Sequence, residues 1–176
     1  YDGHLMMVVN EMKIIFSHGK ESGPWGSKIK RLAEIAISFE CTVESIDYSD
    51  TLDPDKRVQR LCDALVRETD DVVLVGSSMG GYVSLVASET YDTKGIFLLA
   101  PALYLEGYQV QTYPTHPNVE IVHGWSDDVI APECSIRYAQ HVQCPLHLID
   151  GDHRLNSSLK RVESLFSQFM NSIINS

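Results

Sequence analysis

Apolar and polar positions along the chain alternate between two periods. Short, nearly continuous apolar runs occur at Lys13–Ser17, Thr42–Asp47, Val72–Gly76, Ile96–Ala100, Glu120–His123 and Pro145–Ile149. Their length and β-branched content predict six buried strands. Between them the period lengthens: Ile29, Leu32, Ala33 and Ala36 recur at i, i+3, i+4 and i+7, as do Val58, Leu61, Cys62 and Leu65. The C-terminal stretch carries the same stripe through Leu159, Val162, Phe166, Phe169 and Ile173. These spacings predict amphipathic helices. Strand and helix in strict alternation, with strands apolar on both faces, predict a three-layer, doubly wound α/β fold. Its mostly parallel sheet of about six strands would carry helices on both faces.

The alternation breaks once, at Pro101–Asn118, where Pro101, Pro114 and Pro117 mix with Tyr104, Tyr108 and Tyr113. That stretch reads as a long loop after a strand end, the edge of a doubly wound sheet at which ligands bind. Residues 1–10 read as an N-terminal extension explained by an expression scar, and residues 11–176 as a single domain of ordinary size.

Charge narrows the range of partners. Lys and Arg total 14 against 24 Asp and Glu, a net charge of −10, whereas phosphate-backbone binding needs a basic face. No nucleic-acid partner is therefore expected. No apolar run approaches the roughly 20 residues of a membrane span. Cys41, Cys62, Cys134 and Cys144 form no C-x-x-C pair, so they read as free thiols of a reducing, cytoplasmic compartment.

The chemistry begins where the third strand meets its helix. Gly76-Ser77-Ser78-Met79-Gly80 fits G-x-S-x-G, the sharp turn that exposes a nucleophilic serine above an α/β sheet. A serine hydroxyl needs a base. His123 and His147 lie in strands, where a core histidine is the simpler role, and His141 ends a helix. His153, in Gly151-Asp152-His153, follows the last strand, at the edge from which it could reach Ser78. The base needs a carboxylate to hold its tautomer, and the loop after the fifth strand supplies Asp127 and Asp128. Serine, aspartate and histidine then follow one another in the order of an α/β-hydrolase triad.

On these motifs, together with Ser17-His18-Gly19 and His123-Gly124-Trp125-Ser126-Asp127, the chain from Lys13 onward resembles the α/β-hydrolase superfamily, in its small, lidless, esterase-like branch. The resemblance implies a minimal core without a cap domain. It selects Asp127 over Asp128, because the acid usually stands four residues after the histidine of H-G-x-x-D. It also implies an oxyanion hole built from the backbone N–H groups of Lys20 and Met79, and a structural role for His18. The function so implied is a serine hydrolase that cleaves a small or medium-chain ester or thioester through an acyl-enzyme on Ser78, with no metal and no organic cofactor. Trp25, Leu103, Tyr104, Tyr108, Val129 and Ile130 are the candidate lining of an acyl pocket. Lys20 and Glu21 offer a preference for a charged acyl group. Two other classes stay open: a non-catalytic interaction protein on the same scaffold, and a phosphate-binding module using the glycine turn. Oligomeric state is not legible in the sequence.

Overall fold

In the computed structural model, which describes residues 11–176, the six apolar runs form β1 (Met12–Ser17), β2 (Thr42–Ile46), β3 (Asp71–Ser77), β4 (Gly95–Leu99), β5 (Val119–Gly124) and β6 (Leu146–Ile149). Residues 1–10, read from the sequence as an extension, lie outside the described residues. All neighbouring strands pair in parallel, in the order β2-β1-β3-β4-β5-β6. The direction of winding reverses between β1 and β3. That switch point opens a crevice at the carboxyl ends of the two strands.

The helices are α1 (Ser27–Ser38), α2 (Pro54–Val66), α3 (Met79–Ala87), α4 (Pro132–Val142) and α5 (Leu159–Ile174). Helices α1 and α5 cover one face: Ile29, Leu32 and Ala36 meet Val162, Phe166 and Phe169 over Ile14, Val73 and Phe97. Phe97 stacks on Phe166 and tilts against Phe169, with ring centroids 5.2 Å apart in both pairs. Such pairs add about 0.5–1.5 kcal/mol beyond the area they bury. The opposite face is closed by α2, α3 and α4, where Leu61, Leu65, Tyr82, Val83 and Tyr138 pack on Ile15, Leu74, Ile96 and Ile121. The inner strands, β3 and β4 above all, are thus buried on both faces, as their apolar runs require, while the edge strands β2 and β6 are only partly covered.

Helix α2 begins on an Asp-Pro step. Pro54 occupies its first turn, and the Asp53 carboxylate accepts hydrogen bonds from the backbone N–H groups of Asp55 and Lys56. A cap of this kind stabilises a helix start by about 0.5–2 kcal/mol, and proline is preset for the first helical position. Residues 100–118, between β4 and β5, form turns and extended chain without a helix.

Candidate active site

Ser78 stands between β3 and α3 with φ 55° and ψ −118°. A side-chain-bearing residue at positive φ costs on the order of 1–3 kcal/mol, so the surroundings must hold it there. The Ser78 N–H donates to the Leu99 carbonyl at 2.9 Å, and the Ser78 carbonyl accepts from Ala102 and Gly81, both at 2.9 Å. Behind the turn, Gly80 presses on β1 so closely that a Cβ there would drive into the Ser17 carbonyl. The small residues of the motif therefore let strand, turn and helix stack with the hydroxyl facing outward.

The His153 ring comes from the loop after β6. Its Nε2 lies 3.0 Å from Ser78 Oγ and its Nδ1 lies 2.7 Å from Asp127 Oδ2. Two backbone hydrogen bonds tie the acid's loop to the histidine's: Trp125 N–H to the Ile149 carbonyl at 2.9 Å, and Ser126 N–H to the Gly151 carbonyl at 3.0 Å. A Cβ on Gly124 would collide with the Gly151 carbonyl, so the close approach of these loops requires glycine there.

Asp127 is buried, and both of its carboxylate oxygens are engaged. Its Oδ1 accepts from Val129 N–H at 2.9 Å and Ile130 N–H at 2.8 Å. Its Oδ2 faces both His153 and Nε2 of His123, the latter at 3.0 Å. Burial pushes the Asp127 pKa up, but hydrogen bonds from His153, Ile130 and Val129 outweigh it, and the net shift is downward. The group is a carboxylate.

His123, fully buried, donates from Nε2 toward the Ile130 carbonyl at 2.9 Å and Asp127, while its Nδ1 accepts from Ser135 Oγ at 2.6 Å. Burial lowers its pKa, in keeping with a neutral ring. Sequence reasoning placed His123 in the core and missed its contact with Asp127. The signal available was the i, i+4 spacing, which a turn converts into contact. Asp128, the neighbouring acid, is exposed and faces the cleft.

The loop after β1 forms the opposite wall. Gly19 lies against the nucleophile, where a Cβ would sit 3.5 Å from Ser78 Cβ. Among the described residues, neither the Lys20 nor the Met79 backbone N–H has an acceptor within the protein. His18 is fully buried: its Nδ1 donates to the Gly19 carbonyl at 2.8 Å and its Nε2 accepts from Tyr48 N–H at 2.9 Å. Both nitrogens are thus engaged in holding backbone.

Around Ser78 and His153 runs a cleft of about 870 Å³, lined by Lys20, Met79, Leu105, Tyr108, Val129 and Ile130 among others. Tyr108, Val129 and Ile130 therefore stand where an acyl pocket was expected. Leu103, Tyr104 and Trp25 do not line it. The bond from Ala102 N–H to the Ser78 carbonyl draws the chain beneath the elbow, and Leu103 is fully buried there. Tyr104 turns toward Arg137, 3.8 Å from its ring centroid, and packs edge-on against Tyr113. Trp25 is 44% exposed, outside the cleft lining. Lys28 and Arg154, not anticipated from the sequence, stand at the rim, where Lys28 Nζ donates to the Arg154 carbonyl at 3.1 Å. Burial brings the Lys28 pKa down to about 8. Among the described residues, no group of three His, Cys, Asp or Glu side chains could hold a metal ion, and no helix is long and apolar enough to cross a membrane.

The fold has counterparts among solved structures. A crystal structure from Xanthomonas campestris pv. campestris, named for the alpha/beta hydrolase superfamily, is 32% identical, with a TM-score of 0.84 over 91% of this chain and 98% of the other. A serine hydrolase without lid from Xanthomonas campestris shares 17% identity at a TM-score of 0.77, over 93% and 83% of the two chains. Est1E from Butyrivibrio proteoclasticus shares 19% at 0.76, over 95% and 90%. No curated protein matches the sequence. Residues 13–145 match the family described as Uncharacterised protein family (UPF0227). With that match over most of its length and a 32% identical structural counterpart, the chain belongs to UPF0227, within the α/β-hydrolase superfamily.

Proposed function

We propose that the protein is a serine-dependent acyl hydrolase acting on small or medium-chain esters or thioesters. The observation that carries this reading is the continuous line from Ser78 Oγ through the His153 ring to Asp127, at 3.0 and 2.7 Å. His153 Nε2 takes the Ser78 proton as Oγ bonds to the substrate carbonyl carbon, and Asp127 stabilises the imidazolium. The carbonyl oxygen, now an anion, enters the space before the Lys20 and Met79 N–H groups. Each such donor is worth about 2.7–4 kcal/mol of barrier. The tetrahedral centre collapses, the bond to the leaving alcohol or thiol breaks, and His153 returns the proton to it. Water, deprotonated by the same ring, then attacks the acyl-enzyme, releasing the acid and restoring the Ser78 hydroxyl.

The lidless cleft suits short and medium acyl chains, which Tyr108, Val129 and Ile130 would flank. Four free cysteines support a cytoplasmic setting. The test is covalent labelling with a fluorophosphonate, joined to turnover of p-nitrophenyl esters of graded chain length. Wild type is expected to label and turn over. Ser78→Ala is expected to lose labelling and on the order of 10⁶-fold in kcat, while Ser77→Ala keeps both. Turnover by Ser78→Ala at the wild-type rate would end the proposal.

A further inference from the structure

One buried charge has no part in the proton relay. Arg57, in the first turn of α2, is fully buried, yet among the described residues no carboxylate forms an ion pair with it. Its partners are backbone carbonyls. Nε donates to Thr51 at 2.8 Å, Nη1 to Gly19 at 3.0 Å and, more weakly, to His18 at 3.4 Å, and Nη2 to Lys20 at 3.1 Å. The Tyr48 ring centroid lies 5.5 Å from the guanidinium carbon.

Taking a guanidinium out of water without a counter-ion costs several kcal/mol, only partly offset by carbonyl acceptors. Packing does not call for it. Arg57 precedes Leu61 and Leu65 on the buried stripe of α2, where a leucine or methionine would satisfy the core. What the guanidinium accomplishes is to gather successive carbonyls of the loop that faces Ser78. In a trans peptide the C=O of one residue and the N–H of the next point in opposite directions. The Gly19 carbonyl, held by Arg57 and also by His18 Nδ1, belongs to the same peptide unit as the Lys20 N–H. Fixing that oxygen toward the protein interior turns the N–H toward the cleft, on the side where Gly19 abuts Ser78. A cationic donor on the carbonyl also polarises the amide, which strengthens its N–H as a donor.

We propose that Arg57 is a positioning residue for the oxyanion hole, clamping the Gly19 and Lys20 carbonyls so that the Lys20 N–H meets the developing oxyanion. The role rests on the acyl-hydrolase reading above. It predicts a loss in kcat rather than in KM, because the aimed amide acts on charge that develops only in the transition state.

Two variants test it. Arg57→Met keeps the volume and removes every donor. Arg57→Lys keeps the charge but cannot span the Thr51, Gly19 and Lys20 carbonyls at once. Each is measured with a short p-nitrophenyl ester, with activity normalised to folded protein by near-ultraviolet circular dichroism. Separately, ¹⁵N order parameters are recorded for Gly19, Lys20 and Glu21. Arg57→Met is expected to lose 10²–10³-fold in kcat, the scale of one oxyanion donor, with KM within about twofold of wild type. Arg57→Lys should fall between it and wild type, and the loop order parameters should drop from about 0.85 toward 0.6 while α2 and α3 stay rigid. If Arg57→Met does not fold, Arg57→Lys decides alone. A folded variant with wild-type kcat, a loss confined to KM, or unchanged loop order would overturn the proposal. Should wild type neither label nor turn over any ester, the acyl-hydrolase reading fails by itself. The order parameters then still decide whether Arg57 clamps the loop.

Discussion

Asp127 shows how far one side chain's hydrogen bonds constrain the chemistry. Two backbone N–H groups fix Oδ1 as an acceptor, and they cannot turn round. In Asp127→Asn the amide oxygen must therefore take that place, which leaves the NH₂ group facing His153 Nδ1. A donor there forces Nδ1 to be the bare nitrogen and puts the ring proton on Nε2, where it can no longer accept from Ser78. The same NH₂ would confront the Nε2–H of His123. Steady-state kinetics should show kcat for Asp127→Asn reduced on the order of 10⁴-fold, as the wrong tautomer costs in a serine protease. Asp128→Asn, at an exposed position that faces the cleft but makes no bond to His153, should stay within a few-fold of wild type. The reverse ranking would move the acid to Asp128. The spacing of Ser78, Asp127 and His153 along the chain was legible because each lies in the turn or loop that follows a strand, and the carboxyl ends of parallel strands share one edge of the sheet. The His123 contact was not, since it depends on the chain doubling back so that Asp127 N–H reaches the Gly124 carbonyl. Leu103 and Tyr104 misled for a related reason. Loop aromatics and leucines look alike in sequence whether they face a cleft or fold beneath it, and only the Ala102–Ser78 bond decides.

At the scale of elements, the elbow is a packing problem between β1, β3 and α3. All six strands were legible to within about one residue, the inner ones because burial on both faces leaves an apolar run and the edge strands β2 and β6 from shorter, β-branched or apolar stretches. Their spatial order was not, because parallel pairing is long-range and periodicity carries no record of it. Arg57 escaped notice for the opposite reason: it occupies a stripe where the 3.6-residue period expects an apolar side chain. The glycines of the elbow offer a direct test of the packing. A Cβ at position 80 has backbone, not a flexible side chain, in its way, so α3 must move off β1. Overpacking of this kind costs about 1–3 kcal/mol. Gly80→Ala should therefore lower the thermal midpoint and, by shifting Ser78 relative to His153, reduce turnover of whatever folds. Gly23→Ala, where a Cβ would meet nothing within 4 Å, should alter stability by no more than about 0.5 kcal/mol. Equal melting temperatures for the two variants would mean that the elbow is looser than its contacts imply.

For the molecule as a whole, the net charge of −10 and the buried histidines pull stability in opposite directions as pH falls. Protonating surface groups relieves self-repulsion among the acids, but in 0.2 M salt that repulsion is screened beyond roughly 7–8 Å. His18 and His123 are fully buried and are not screened in this way. Burial is the first cause lowering both pKa values below 6.5. Arg57 adds to the effect at His18 and His153 at His123, while the Gly19 carbonyl and Asp47 oppose it at His18, and the Ile130 carbonyl and Asp127 at His123. Below pH 6.5 the unfolded chain therefore binds protons at these two positions that the folded chain refuses, and stability must fall as pH falls. Each histidine can contribute at most about 1.4 kcal/mol per pH unit inside its window. Asp127 acts later and in the same direction. Its carboxylate, held below 3.8 by the hydrogen bonds that outweigh its burial, supports the fold above that value and ceases to do so as pH drops through its folded pKa. Urea midpoints taken from pH 7.5 to 5.0 in 0.2 M salt should thus decline below about pH 6.5, although the protein is moving toward its isoelectric point near 5.0. His18→Gln, which removes one titration while leaving a donor and an acceptor for the Gly19 and Tyr48 backbone, should make that decline shallower. A midpoint that rises steadily toward pH 5 would mean that charge repulsion, and not the neutral buried rings, governs the acid response.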